Sequence, residues 1–367
     1  MIESLKIKNF KNLDGLETPK LSQINLISGK NNVGKSSLLE AIAIYSNPSQ
    51  IIEILGEREE YPFYNRDEDE TEIIIKNTDA FSSLFTDRDD EVSENNIIKI
   101  SDKENTLSIQ FSYYRETTEE DNGETIQKRE LVNPNTDINS EDIQKAIIIN
   151  KPNTYNFFIR LNRNLRILPI RFNTSGNSNT IIRLSTKLLN NIQIAQLLDK
   201  IIFSKEENNV IEALQIIEKD IERLGLIGEN NFRGRRPVVK IKGSNKQFPL
   251  KSMGDGINHI FSIILALVNC ENGCLLIDEI DNGLHYSVQE NLWKVIFELS
   301  KKLNIQVFAT THSNDCINSF TEVLQESDNA SMGSYYRIQK RKSGKIELVE
   351  YNAEELYSAS KHNSERR

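Results

Sequence analysis

Long apolar runs are missing from this 367-residue chain. None approaches the roughly 18 residues needed to cross a bilayer, so no membrane span is expected. The charged and apolar regions of a signal peptide are missing as well. Met1-Ile2-Glu3-Ser4 leads directly into a strand-like segment, and a cytoplasmic location is the expectation. Cysteine is scarce: Cys270, Cys274 and Cys316 are the three, and each lies in or near an apolar segment. They read as small buried hydrophobes in a reducing compartment. The Cys270–Cys274 spacing lacks the second pair that a zinc site needs. Net positive charge is absent; the balance is −9, so no global field draws the chain to nucleic acid. No internal repeat and no sustained heptad pattern is present, which excludes a long coiled coil. The length suffices for a large core, arranged as one elaborated domain or two lobes.

The chain does contain a glycine-rich loop. Gly29-Lys30-Asn31-Asn32-Val33-Gly34-Lys35-Ser36 fits the phosphate-loop pattern G-x-x-x-x-G-K-[ST]. Ile24 to Ser28 before it reads as a short buried strand, and Ser37 to Ile42 after it as a helix. A strand, loop and helix in this order aim backbone N–H groups and a helix N-terminus at one point, where a triphosphate sits. The glycines let the backbone curl. Asn31, Asn32, Val33 and Ser37 belong to the same expected ATP cradle. Lys35 is expected to reach the β- and γ-phosphates, and Ser36 to ligate Mg²⁺.

Three later segments have their own chemistry. Ser252-Met253-Gly254-Asp255-Gly256 precedes an apolar helix over Ile257 to Val268. It reads either as an ordinary start with a serine cap or as an anion-binding helix N-terminus for a second nucleotide. Cys274 to Ile277 reads as a buried strand that ends in Asp278 and Glu279. These two open a solvated loop, or else hold Mg²⁺ and activate a water. Ile305 to Thr311 reads as another buried strand, ending at His312. That histidine is a γ-phosphate sensor or a satisfied polar residue. Continuous apolar runs of this kind are typical of parallel strands covered on both faces.

In this order the motifs resemble the ABC-type ATPase heads of SMC, RecF and OLD-like proteins. The nearest likeness is to stand-alone ATP-binding proteins related to OLD nucleases, many linked to phage defence. Leu5 to Leu13 is similar to that group's first strand and turn, and the likeness brings Lys11 and Asn12 to the ATP site. Gly29 to Ser37 resembles its phosphate loop. Ser252 to Gly256 resembles its signature, Leu275 to His285 its Walker B and D-loop, and Thr311-His312-Ser313 its switch histidine. Met253 and His285 depart from transporter heads and suit the OLD-like branch. No clear Q-loop glutamine stands out; Arg166 to Phe172, ending at Asn173, and Gln110 are the candidate segments.

The resemblance implies an α/β P-loop NTPase of the ABC-ATPase head type. It would have a mixed, mostly parallel sheet, an antiparallel β lobe and an inserted helical subdomain. The expected core is residues 1–50 and 240–350, with a β-rich lobe and loops over 51–175 and a helical insertion over 176–240. The resemblance further implies ATP and Mg²⁺ as cofactors and a head-to-tail homodimer, or higher oligomer, that sandwiches two ATPs. Within such a dimer Ser252, Met253, Gly254 and Asp255 face the partner's nucleotide. Glu279 and His312 are the catalytic candidates, and Ser36 and Asp278 the metal ligands.

Other segments are read from their own composition. Glu57 to Glu72 reads as an acidic loop. Strands are expected at Glu72 to Lys76, Ile97 to Ile100 and Leu107 to Tyr113, and Glu116 to Lys128 reads as a charged turn. Helical apolar spacing extends over Thr186 to Leu226. Two basic clusters, Arg160 to Arg171 and Arg233 to Lys246, read as solvated faces, with a nucleic-acid path or acidic partner as the alternative. After His312 come strand-like Tyr335 to Lys340 and Glu347 to Tyr351, without the D-x-D pattern of a Toprim domain. A separate effector protein, a nuclease or toxin in a defence system, is therefore expected. A RecF-like DNA-binding repair ATPase and a nuclease in its own right are the alternatives.

Overall fold

The computed structural model describes residues 1–57, 69–121, 124–132, 142–152, 155–162, 180–186, 189–228, 235–244, 246–326, 329–352 and 355–356. The chain opens with β1 (Lys6–Lys8), β2 (Leu16–Glu17) and β3 (Ile24–Ser28), then α1 (Lys35–Ser46), α2 (Gln50–Glu57) and α3 (Glu70–Ser82). A run of strands follows: β4 (Ile97–Ser101), β5 (Thr106–Asp121), β6 (Glu124–Val132), β7 (Ile143–Lys151), β8 (Tyr155–Arg160) and β9 (Ile181–Leu184). Next come α4 (Asn191–Ile201), α5 (Lys205–Ile217), β10 (Ile221–Gly228), β11 (Arg235–Ile241) and β12 (Gln247–Pro249). The last third holds α6 (Asp255–Val268), β13 (Cys274–Ile277), α7 (Tyr286–Leu303), β14 (Gln306–Thr311), α8 (Asn314–Leu324), β15 (Gly333–Lys340) and β16 (Ile346–Tyr351).

The central sheet has the order β16-β15-β3-β14-β13-β9. All its pairings are parallel except β15 with β16. Its strands are apolar on both faces because both faces are covered. Ile24, Leu26, Leu275, Ile277, Val307 and Ala309 face a core shared with α4 to α8. The alternate residues Ile27, Leu276 and Phe308 face a second core with α1 and the antiparallel lobe. That lobe is a seven-stranded antiparallel sheet, β2-β1-β4-β5-β7-β8, with β6 on β5. The expected mixed, mostly parallel sheet, antiparallel lobe and inserted helices are all present.

Four expectations are corrected. Residues Glu72 to Lys76 lie inside α3, not in a strand. The Asp69 side chain caps that helix by accepting from the Glu72 N–H, and Asn77, Ala80 and Phe81 bury one face. Packing of that face outweighs the strand preference of Ile73-Ile74-Ile75. Glu116 to Lys128 belongs to the β5–β6 hairpin, where Arg129 pairs with Glu116 at 3.2 Å, and is no mere turn. The helical reading holds for α4 and α5 but fails at Ile221 to Leu226, which form β10 against β11. Ser252 is no helix cap: it sits in a 3₁₀ turn, Leu250–Met253, and donates to the Pro249 carbonyl at 2.7 Å. Gly254, at φ 102°, caps α6 instead. The segment Arg166 to Phe172, like most of Glu57 to Glu72, lies outside the described residues.

Candidate nucleotide site

The loop between β3 and α1 is built around backbone that side chains resist. Gly29 has φ 154°, and a Cβ there would lie 2.4 Å from the Ile338 carbonyl oxygen. Gly34 has φ 109°, and a Cβ there would lie 2.7 Å from Leu13 Cδ2. Asn32 adds a further left-handed residue at φ 62°. Such alternation turns successive N–H groups into a concave anion cradle. Gly34 also ends the loop as the N-cap of α1, with no side-chain cap. The first N–H groups of α1 are thus left to a ligand, at the positive end of the helix.

This cradle opens into a cleft of about 890 Å³. Such a volume suits a nucleotide-sized ligand. Asn31 to Ser37 form its floor, and Lys11 and Asn12 one side. Asp278, Glu279 and His312 reach it from the ends of β13 and β14. Gly29 shapes the loop from beneath, buried against Ile338. Parallel strands deliver their C-terminal ends to one edge, which is why motifs more than 240 residues apart meet.

Lys35 is buried, with 6% of its surface exposed. Its ammonium donates to the carbonyls of Gly29 at 2.9 Å and Lys30 at 3.1 Å. Burial pushes its pKa down, and the facing carboxylates Asp278 and Glu279 oppose that shift. The His312 imidazole stands 3.5 Å from the Lys35 ammonium through Nδ1, and its Nε2 is 3.9 Å from Glu279 Oε1. Burial, then the Lys35 charge, holds its pKa below the usual histidine range, against the pull of Glu279, Asp281 and Asp278. A neutral ring that accepts from Lys35 at Nδ1 carries its proton on Nε2, toward Glu279.

Two threonines order the carboxylates. Thr310 Oγ1 donates to Asp278 Oδ1 at 2.6 Å and accepts from the Glu279 N–H at 2.9 Å. Thr311 Oγ1 donates to Asp281 Oδ1 at 2.5 Å. Glu279 itself sits at φ 53°, a left-handed conformation uncommon outside glycine. Buried His259 on α6 contacts the Ile280 carbonyl at 3.0 Å, tying α6 to this turn. Hydroxyls inside the otherwise apolar β14 were the signal for these partners.

Behind the loop, Lys11 pairs with Glu40 of α1 at 2.7 Å, with side chains only 8% and 5% exposed. Removing one member of a buried pair strands the other charge. Glu40→Ala is therefore expected to cost about 3 kcal/mol in urea unfolding. A loss below about 1 kcal/mol would mean that the pair is well solvated.

Ser252, Met253, Gly254 and Asp255 do not line the cleft. Ser252, Gly254 and Asp255 are instead exposed. Gln110 lies on β5 in the antiparallel sheet, also away from it. The neighbour of β13 is β9, whose Leu184 carbonyl accepts from the Asp278 N–H at 2.9 Å. The sequence reading missed the rest of the cleft wall: Ser83 and Phe85 to Arg88 after α3, and Lys340, Gly344 and Ile346 from the β15–β16 hairpin. Consecutive Asp87 and Arg88 are left-handed, at φ 59° and 56°.

Residues 1–317 match the model of the AAA ATPase domain, and the chain belongs to that family. With the phosphate cradle described above, this makes it an ATPase with a P-loop α/β fold. Among its relatives is an ATP/GTP phosphatase of Helicobacter pylori, 25% identical over 355 residues, covering 89% of this chain and 90% of that protein. An uncharacterized protein of Methanocaldococcus jannaschii is 31% identical over 128 residues, covering 30% of this chain and 58% of its own length. A crystal structure of an Smc head bound to the C-winged helix domain of ScpA aligns over 97% of this chain and 99% of that one, at 16% identity and a TM-score of 0.49.

Among the described residues, no helix is long and apolar enough to cross a membrane.

Proposed function

We propose that the chain is an ATP-driven switch that hydrolyses ATP at this cleft, dimerises around it and controls a separate effector. The observation that carries the reading is the meeting of the phosphate loop, Asp278, Glu279 and His312 in one cleft, with Ser252, Gly254 and Asp255 exposed outside it. Lys35 and the α1 N-terminus hold the phosphates. Ser36 and Asp278 are a fitting donor set for Mg²⁺, which prefers one or two protein oxygens plus substrate phosphates over a protein cage. When bound, Mg²⁺ would neutralise charge on the phosphates. Glu279 orients and deprotonates the attacking water, and neutral His312 donates from Nε2 near the same point.

The exposed signature supports the head-to-tail dimer. A second copy of α6 would present the backbone N–H groups of its first turn, Asp255 to Ile257, to the γ-phosphate. Hydrolysis removes that contact and shifts the population toward open heads. A role in phage defence, as in the OLD-like group, is the setting we favour. The name of the Helicobacter pylori relative supports phosphoanhydride hydrolysis, with GTP as a second nucleotide to test.

The DNA-binding alternative draws little support from the basic clusters. Arg160 pairs with Glu116 at 3.1 Å, Lys240 with Glu222 at 3.1 Å, and Arg235 with Asp199. Arg163, Arg166, Arg171 and Arg233 lie outside the described residues.

Light scattering tests the dimer. Glu279→Gln is expected to double in mass with ATP and Mg²⁺. Ser252→Arg should block that doubling while leaving single-head ATP binding near normal, because a bulky cation one turn before α6 obstructs the partner. ATP-independent mass in the first variant, with unchanged turnover in the second, would sink the trans-signature reading.

A further inference from the structure

The strand order gives the cleft a direction. β3 carries the phosphate loop; β14 and β13 lie on one side of it and β15 on the other. His312, Asp278 and Glu279 stand at the ends of β14 and β13, so the γ-phosphate end of a nucleotide lies on that side. The α-phosphate and nucleoside then extend over the β15 side. β15 runs parallel to β3, with Arg337 opposite Ser28. Ile338 to Lys340 therefore continue alongside the phosphate loop itself. The approach is close: Ile338 is the residue that leaves no room for a Cβ on Gly29. Successive strand residues alternate faces, so Lys340 is on the same face as Ile338. Lys340 is exposed and lines the cleft with Ile346, its cross-strand partner in the hairpin.

The other lysines of the cleft are engaged. Lys11 is held by Glu40, and Lys35 donates to two loop carbonyls. Lys340 makes no ion pair among the described residues. We propose that Lys340 is a nucleotide-binding residue, supplied by the C-terminal hairpin, that contacts the α-phosphate side of bound nucleoside di- and triphosphates. Ile346 forms an apolar support beneath the nucleoside. The proposal rests on the nucleotide reading above and extends it to a segment about 300 residues from the phosphate loop.

The test uses the full chain and fluorescent ATP and ADP, with Mg²⁺, at low salt. Lys340→Ala is expected to weaken both nucleotides by the same factor, about tenfold, as for one charge-assisted contact. Lys340→Arg keeps the charge and should stay within about twofold of wild type. The alanine effect should shrink at about 1 M salt, where exposed charges are screened. Unchanged affinities in Lys340→Ala overturn the proposal. A loss confined to ATP also overturns it, because it would put the lysine at the γ-phosphate. If the wild-type chain bound neither nucleotide, the nucleotide reading would fall and this proposal with it.

Discussion

Lys35→Ala abolishes ATP binding in calorimetry, with affinity expected to fall by more than about 100-fold. The side chain is the ammonium nearest the loop floor, and hydrogen bonds to charged groups contribute about 1.5–3 kcal/mol each. Without two such bonds to the phosphates, binding weakens by about 3–6 kcal/mol, or about two to four decades. The residue is not the solvent-facing point charge that the motif alone would imply. It is buried, and it bridges the Gly29 and Lys30 carbonyls. The variant therefore has a second expected signature, a lower melting temperature without ligand, because the Gly29 carbonyl loses its lysine donor. Lys35→Arg keeps the charge but must fit a longer fork into the same closed space, so it should bind weakly too. Unchanged ATP affinity in Lys35→Ala would remove the phosphate-loop assignment.

Glu279→Gln is expected to retain ATP binding with at most a modest change in affinity, and to turn ATP over about 10²- to 10⁴-fold more slowly, the usual effect of losing a general base. The amide keeps the size and the Thr310 contact, which is made through the backbone N–H of residue 279. Its carboxylate also partners His312 at 3.9 Å and opposes the effect of burial on Lys35. Losing that negative charge makes the ammonium harder to keep, so a modest change in ATP affinity would accompany the rate loss. Single-turnover phosphate release measures the chemical step directly. A rate within a few-fold of wild type would shift the base to another group, with His312 first in line.

The phosphate loop was legible because its determinants are local. Two glycines at required dihedrals, a lysine and a serine are fixed by spacing alone. Asp278, Glu279 and His312 were legible because a parallel strand covered on both faces reads as an apolar run, and polar residues mark where it emerges. The remainder depends on long-range geometry. Lys340 and Ile346 reach the cleft only because β15 pairs with β3. Glu40 looks like a surface residue of a helix until Lys11 is found beside it. The left-handed pair Asp87 and Arg88 leaves no compositional trace, since neither residue is glycine. Ser252 was misread because a serine before a helix usually caps it, whereas here a 3₁₀ turn and Gly254 intervene. Ile73 to Ile75 were misread because β-branching was weighed ahead of the amphipathic spacing that Asn77, Ala80 and Phe81 complete.

With Glu279 as the proposed base, its left-handed backbone sets stability against chemistry at a single codon. A glycine there would relax a conformation that costs an L-residue about 1 kcal/mol, and would make the fold more robust. It would also erase the carboxylate. Selection on heat resistance or expression yield alone would therefore drift toward glycine or asparagine at this position and collect well-folded, silent proteins. Only selection that reads turnover would keep the glutamate in its unfavourable posture.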